Sequence, residues 1–143
     1  MNEEQLKALD KIMIYLAQRD HSVLELQKKL SKNFDPATRD WVINYADEQG
    51  WLKTATELSR STAEMLHRKR KGALYIQNYL KTRGLPRVHI DDERELEKCR
   101  YWLENKFALE QDITYEEKLK VARFLKNRGF LDQTIKKVLY ENK

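Results

Sequence analysis

One phrase is written three times in this 143-residue chain. "VARFLKNRGFL" at 121–131 echoes "IQNYLKTRGLP" at 76–86 and, more faintly, "VINYADEQGWL" at 42–52. Set on their glycines, Val121, Ile76 and Val42 coincide, as do Phe124, Tyr79 and Tyr45, and Leu125, Leu80 and Ala46. These apolar positions share one face at the 3.6-residue period, so each copy reads as the last two turns of a helix. The glycine then ends the helix in a left-handed conformation at no steric cost. Gly50, Gly84 and Gly129 lie 34 and then 45 residues apart, a range typical of helical repeat units. The chain is therefore expected to be all-α, a short array of helical bundles that each close with the same helix end.

Other marks agree. Only 4 Gly and 2 Pro leave little material for the turns of a β-rich fold. Ser22 with Glu25, Thr54 with Glu57, and Thr114 with Glu117 have capping-box spacing. Asp35–Pro36 supplies a cap followed by proline at the first helical position. These starts and stops predict helices at 4–18, 22–33, 36–49, 54–71, 73–83, 92–108, 115–128 and 132–141. The predicted apolar stripes include Leu6/Leu9/Met13/Leu16, Val23/Leu26/Leu30, Leu96/Leu103/Phe107 and Leu119/Ala122/Phe124/Leu125. Trp41, Tyr45, Tyr79 and Trp102 lie on such stripes and read as core, whereas Tyr75 and Tyr140 fall off them.

Chemistry is hard to find. Three histidines and a single cysteine, Cys99, show no metal-ligand spacing. No glycine-rich phosphate loop and no nucleophile or metalloprotease motif is present. Asp91–Asp92 and Glu116–Glu117 stand at helix starts, where negative charge favours the dipole. The reading is of a protein that is not an enzyme and needs no cofactor or metal. The lone cysteine and the lack of any membrane-length apolar run suit a reduced, cytoplasmic, monomeric protein with no membrane partner.

Charge is the positive signal. Residues 54–90 carry 8 basic and 2 acidic groups, while the segments on either side are close to balanced. "HRKRKG" at 67–72 concentrates it, with Arg68, Lys69, Arg70 and Lys71 in a row. Cations favour a helix C-terminus by about 0.3–1 kcal/mol, which accounts for one or two of them and not for four that repel one another. Arg60 and Lys71 fall on the outer face of the same predicted helix as Arg68, and Lys81 and Arg83 follow. These seven residues are the candidate partner- or DNA-binding site, for a polyanion or an acidic protein surface. A helix-turn-helix over 22–49 is spaced for DNA, yet the outer residues of its second helix, Arg39, Asp40, Asn44, Asp47 and Glu48, are more acidic than basic.

At "RDHSVLELQKKL" a resemblance enters. Arg19-Asp20, Ser22, Glu25-Leu26 and Lys29-Leu30 resemble the opening R-D-x-S-x-x-E-L-x-x-K-L motif of the RecX family, regulators of the RecA recombinase. Gly50-Trp51-Leu52 is similar to that family's G-Y-L, Arg70-Lys71-Gly72 to its R-K-G, and Leu80–Leu85 to its L-x-x-K-G-I. "KVARFLKNRGFLDQTIKKVL" is similar to its closing segment, so the likeness covers about positions 9–141 in order. What the resemblance implies is three tandem three-helix repeats in an elongated, curved array, 1–52, 53–91 and 92–143. It also implies a non-catalytic partner of RecA-type filaments on single-stranded DNA, inhibiting ATPase and strand exchange, with weak electrostatic contact to single- or double-stranded DNA. The alternative is a helical nucleic-acid-binding module without a recombinase partner. Lys53-Thr54, Gly72-Ala73-Leu74 and Tyr79 depart from the family's pattern. Residues 86–108 are short for two helices, so the middle repeat's third helix is expected to shrink to a turn around Arg87–Ile90.

Overall fold

A computed structural model of the chain describes residues 1–107 and 113–140, and among these it contains helices and no strand. In chain order they are α1 (Glu3–Gln18), α2 (Val23–Leu30), α3 (Pro36–Glu48), α4 (Ala55–Arg68), α5 (Ala73–Thr82), α6 (Asp92–Asn105), α7 (Tyr115–Asn127) and α8 (Asp132–Tyr140). All eight stand where the sequence puts them. The expected final residues of two helices, 108 and 141, lie outside the described residues. Three helices stop early: α2 turns out of line at Leu30, whose carbonyl accepts from the Asn33 and Phe34 amides, α4 ends at Arg68 rather than 71, and α6 ends at Asn105. Between Thr82 and Asp92 the chain makes a turn and then runs without helix.

The helix starts have the predicted chemistry. Ser22 Oγ accepts from the Glu25 amide at 3.1 Å while the Glu25 carboxylate accepts from the Ser22 amide at 3.1 Å. Thr54 with Glu57 and Thr114 with Glu117 make the same reciprocal pair. Asp35 caps α3 ahead of Pro36. Asn2 with Gln5 forms a further box at the start of α1, an amide pair of the same spacing.

The chain forms two compact units, Met1–Ser61 with Leu80–Pro86, and Thr62–Tyr79 with the described residues from Arg87 onward. Two of the boundaries fall inside α4 and α5, and the third lies between Pro86 and Arg87. In the first unit α1, α2 and α3 pack together around Ile12, Leu26, Leu30, Val42 and Ala46. Each such fully buried aliphatic side chain contributes about 1.5–3 kcal/mol relative to exposure. The buried face of α1 is Ala8 and Ile12, flanked by half-buried Leu9 and Leu16. Leu6 and Met13, expected in the stripe, are exposed, as are Val23 of α2 and Leu119 of α7. The sequence identifies the stripe but sets its centre a few tens of degrees off. In the second unit α6, α7 and α8 enclose Cys99, Val121, Leu125, Phe130, Val138 and Leu139.

The structure separates the three copies of the repeated phrase. Gly50, Gly84 and Gly129 all adopt positive φ, 75°, 70° and 95°, and so all three are helix stops. Two of them are also docking joints. The Arg83 carbonyl accepts from the Ser22 hydroxyl, and a Cβ at Gly84 would lie 2.6 Å from Leu24 Cβ in the first turn of α2. In the other unit the Arg128 carbonyl accepts from the Gly72 amide at 2.9 Å, and a Cβ at Gly129 would lie 2.5 Å from the Tyr75 amide nitrogen in the first turn of α5. In both joints the Arg–Gly end of a helix is pressed against the N-terminus of an earlier one. Gly50 has nothing within 4 Å of such a Cβ and ends α3 alone.

The three glycines should therefore respond differently to alanine. Left-handed strain of about 1–2 kcal/mol applies to all three, but the collision applies only to Gly84 and Gly129. Gly84→Ala and Gly129→Ala should each destabilise by at least about 1 kcal/mol more than Gly50→Ala. Urea unfolding of the three variants measures this, and equal losses would show that the close approaches do not matter.

Candidate functional site

The basic stretch is where α4 stops, and its backbone is held on every side. Arg70 leaves the helix with φ 58°, the one non-glycine residue with positive φ among those described. The Arg70 amide donates to the His67 carbonyl at 2.8 Å and the Lys71 amide to the Leu66 carbonyl at 3.1 Å, closing the last turn. An L-residue pays about 1–2 kcal/mol in this conformation, and two contacts offset it. The Arg70 guanidinium lies 3.5 Å from the centre of the Tyr101 ring, and the Arg70 carbonyl accepts from Trp102 Nε1 at 3.2 Å. A glycine would adopt the turn more easily but would lose the guanidinium stack.

The neighbouring carbonyls are also taken. Lys69's accepts from Arg128 Nη2 at 3.1 Å and Lys71's from Lys98 Nζ at 2.6 Å. The Arg128 guanidinium in turn lies 4.3 Å over the Trp102 ring, and Lys71 Nζ lies 4.7 Å over Tyr75. Three inward carbonyls meet donors that are cationic or indole, which fixes the backbone of the loop.

Behind the loop lies a buried polar cluster. Glu95 and Lys98, one turn apart on α6, form an ion pair with side chains 2% and 6% exposed. Glu95 Oε1 also accepts from the Ala73 amide at 2.7 Å, at the first residue of α5. A carboxylate there satisfies an orphan amide and meets the positive end of the helix dipole. Lys98 Nζ lies 2.8 Å from His67 Nδ1, so this nitrogen acts as the acceptor and the imidazole is neutral. Burial first, and the Lys98 and Arg94 charges after it, push the His67 pKa down to about 4. Burial lowers the Lys98 pKa against the opposing pull of Glu95. Burial pushes the Cys99 thiol up to about 12, which leaves it protonated and inert at neutral pH. Arg94 adds a two-point contact from α6 to Glu64 of α4, at 3.0 and 2.6 Å.

The seven residues singled out in the sequence have different situations. Arg68 and Lys69 are exposed, while Arg70 and Lys71 are half-buried on their aromatic partners. Because α4 ends at Arg68, Lys71 does not continue a helical face with Arg60. Arg60, Lys81 and Arg83 belong to the first unit and Arg68–Lys71 to the second. Arg60 and Lys81 are exposed, and Arg83 Nε lies 3.6 Å from Glu25. Glu25 also pairs with Arg19 at 2.8 Å. Burial opposes its ionisation, but Arg19, the Ser22 amide and Arg83 hold its pKa below the ordinary value. The opening motif is thus a scaffold for the start of α2, with Lys29 Nζ 2.8 Å from His21 Nε2 and Lys53 paired to Asp20 at 2.9 Å.

Arg128, Tyr101 and Trp102 were not among the sequence candidates. The signal that could have found them is the Arg–Gly pair at 128–129, matched to Arg83–Gly84, with its implied partner at the R-K-G. The acidic outer face of α3 is present as expected: Asp40, Asp47 and Glu48 are exposed, and Arg39 pairs with Asp40 at 3.0 Å. Among the described residues no cluster of His, Cys, Asp and Glu could hold a metal, and no helix is long and apolar enough to cross a membrane. What the arrangement offers chemically is an exposed pair of cations on a backbone whose carbonyls are bonded.

Known proteins resemble the chain in sequence and in fold. A family model described as RecX, third three-helix domain, matches residues 92–139. The regulatory protein RecX of Chlorobaculum tepidum is 35% identical, over 94% of this chain and 89% of that protein. The protein of the same description from Leptothrix cholodnii is 31% identical, over 96% of this chain and 90% of its own. The crystal structure of RecX from Lactobacillus salivarius superposes with a TM-score of 0.80 over 99% of this chain and 97% of that one, at 18% identity, and shares its fold.

Two outcomes test the buried cluster. Replacing one member of a buried pair leaves an uncompensated charge and costs about 3–5 kcal/mol, so Glu95→Gln and Lys98→Met should each destabilise by that order, and the double variant by less than their sum. Chemical unfolding of the three variants gives the coupling, and simple additivity would mean that the two groups do not act together. The second outcome concerns pH. His67 titrates near 4 when folded and near 6.5 when unfolded, so the unfolded chain binds the extra proton between those values. Its contribution is complete above pH 6.5 and is lost as pH falls towards 4. The loss of melting temperature between pH 7 and pH 4.5 should be smaller in His67→Gln than in wild type.

Proposed function

The chain belongs to the RecX family of regulatory proteins, and from that premise we propose that it binds RecA-type recombinase filaments on single-stranded DNA and restrains their ATP hydrolysis and strand exchange. It does so as a binding protein without chemistry of its own, as a monomer in the cytoplasm. On this reading the chain comprises three repeats, 1–52, 53–91 and 92–143, the middle one reduced to α4 and α5.

The observation that carries the proposal is the exposed pair Arg68–Lys69, at the stop of α4 in a segment with 8 basic and 2 acidic groups. A nucleoprotein filament presents phosphates and acidic side chains along a groove, and a rigid cationic loop is complementary to both. Preorganisation matters here. The carbonyls of Lys69, Arg70 and Lys71 are already bonded, so little backbone freedom remains to be lost on docking. Arg70 and Lys71 hold the loop's shape through their rings, and Arg60 and Lys81 supply further charge. Arg83 is anchored to Glu25 and serves the joint first.

The test follows from this division. Arg68→Glu with Lys69→Glu reverses two exposed charges at a cost within about ±0.5 kcal/mol each. The folded double variant should inhibit ATP hydrolysis by preformed filaments at least tenfold less well. Inhibition by the wild type should weaken steeply with salt, because the Debye length falls from about 8 Å at physiological strength to about 3 Å at 1 M. An unchanged dose response in the folded variant would remove the loop from the interface. Binding to naked single-stranded DNA, measured alongside, separates filament recognition from the alternative of a plain nucleic-acid module. Equal affinity for bare DNA and filament would favour that alternative.

A further inference from the structure

A second surface lies on α7 and α8, and none of the seven cations singled out in the sequence lines it. These helices border an open groove of about 380 Å³. Its floor is aliphatic: Leu119, Ala122, Ile135 and Leu139, with Tyr140 at one end. Leu119 and Tyr140 are 40% and 54% exposed, a large apolar exposure for a helix pair. The rim is cationic. Arg123, Lys126 and Lys136 line it, and Lys118 Nζ lies 4.5 Å over the Tyr140 ring. Among the described residues Asp132 is the only carboxylate of the lining, and Lys126 pairs with it at 3.6 Å. Arg123 and Lys136 have no ion-pair partner among the described residues.

We propose that this groove docks an acidic amphipathic helix of a partner protein. The two requirements select the occupant. An aliphatic floor between two helices accepts a row of apolar side chains at i, i+3 or i+4, and i+7, the way helix-in-groove recognition works. Rim cations without an ion-pair partner among the described residues favour negative charge on the flanks of that row. Nucleic acid meets only half of this, since phosphates would satisfy the rim but bases stack on aromatic faces and the floor is aliphatic apart from one tyrosine. A second copy brings the same cationic rim against itself.

The probe is a fluorescein-labelled 18-residue peptide with Leu and Phe at helical spacing and Glu on both flanks. Two controls accompany it, the same composition with the stripe scrambled and the same stripe with Lys for Glu. Fluorescence anisotropy with the full chain, without DNA or recombinase, should give binding to the acidic peptide at least tenfold tighter than to either control. Leu119→Glu places a charge on the exposed floor, and Arg123→Glu with Lys136→Glu reverses the rim. Both should remain folded by circular dichroism and each should lose at least tenfold in affinity. Arg68→Glu with Lys69→Glu should bind the peptide as wild type does, so failure here and failure of the filament reading are distinguishable. Equal binding of all three peptides overturns the proposal. So does sedimentation showing dimers that Leu119→Glu abolishes, or single-stranded DNA binding that the rim variant alone abolishes without any peptide preference.

Discussion

A carboxylate and an ammonium buried together on α6, Glu95 and Lys98, organise the second unit. Neither could be buried alone, because an isolated charge in the interior costs several kcal/mol. Their remaining hydrogen-bonding capacity determines what packs around them. Glu95 takes the first amide of α5, and Lys98 takes the Lys71 carbonyl and His67 at the end of α4. The turn between α4 and α5 is thereby tied to α6 at three points. A well-packed apolar replacement could be as stable, but it would not specify where that turn lies. The pair thereby fixes the stop of α4, where Arg68 and Lys69 stand.

The same logic appears twice with different chemistry. In the first unit Ser22, which caps α2, gives its hydroxyl proton to the Arg83 carbonyl, and Arg83 in turn reaches Glu25. In the second unit the Gly72 amide meets the Arg128 carbonyl, and the Arg128 side chain reaches the Lys69 carbonyl. In each, a helix end rich in unsatisfied carbonyls meets a helix start rich in unsatisfied amides or hydroxyls. Such a joint removes two orphan sets at once, and it requires glycine because a side chain would hold the backbones apart. The recurrence of the phrase at these two joints thus needs no ligand.

Docking of the kind proposed works through surface placement. The exposed cations are few and stand on backbone whose polar groups are already satisfied, so docking need not order the loop that bears them. The aromatic rings under Arg70 and Arg128 attract their guanidinium groups by face-on contact and hold both against the loop. The cationic character of the middle of the chain is therefore divided between residues that build and residues that can bind.

The sequence by itself determined the helices. Caps, proline and stop glycines are local signals, read by the next three or four residues, and they placed eight helices within a turn of where they lie. It also determined the stop role of Gly50, Gly84 and Gly129 and the concentration of positive charge. What it could not decide is which face each helix buries when that face is polar. Leu96, Leu103 and Phe107 mark α6 by hydrophobicity, yet the residues most completely buried on it are Glu95, Lys98 and Cys99. A charged pair is buried only because a partner amide, a carbonyl and an imidazole from distant positions converge on it, and no periodicity records that. For the same reason the sequence could not tell Arg68 from Arg70. Their neighbours in the chain are alike, and only the Tyr101 ring, brought in by α6, turns one of them into structure and leaves the other to the solvent.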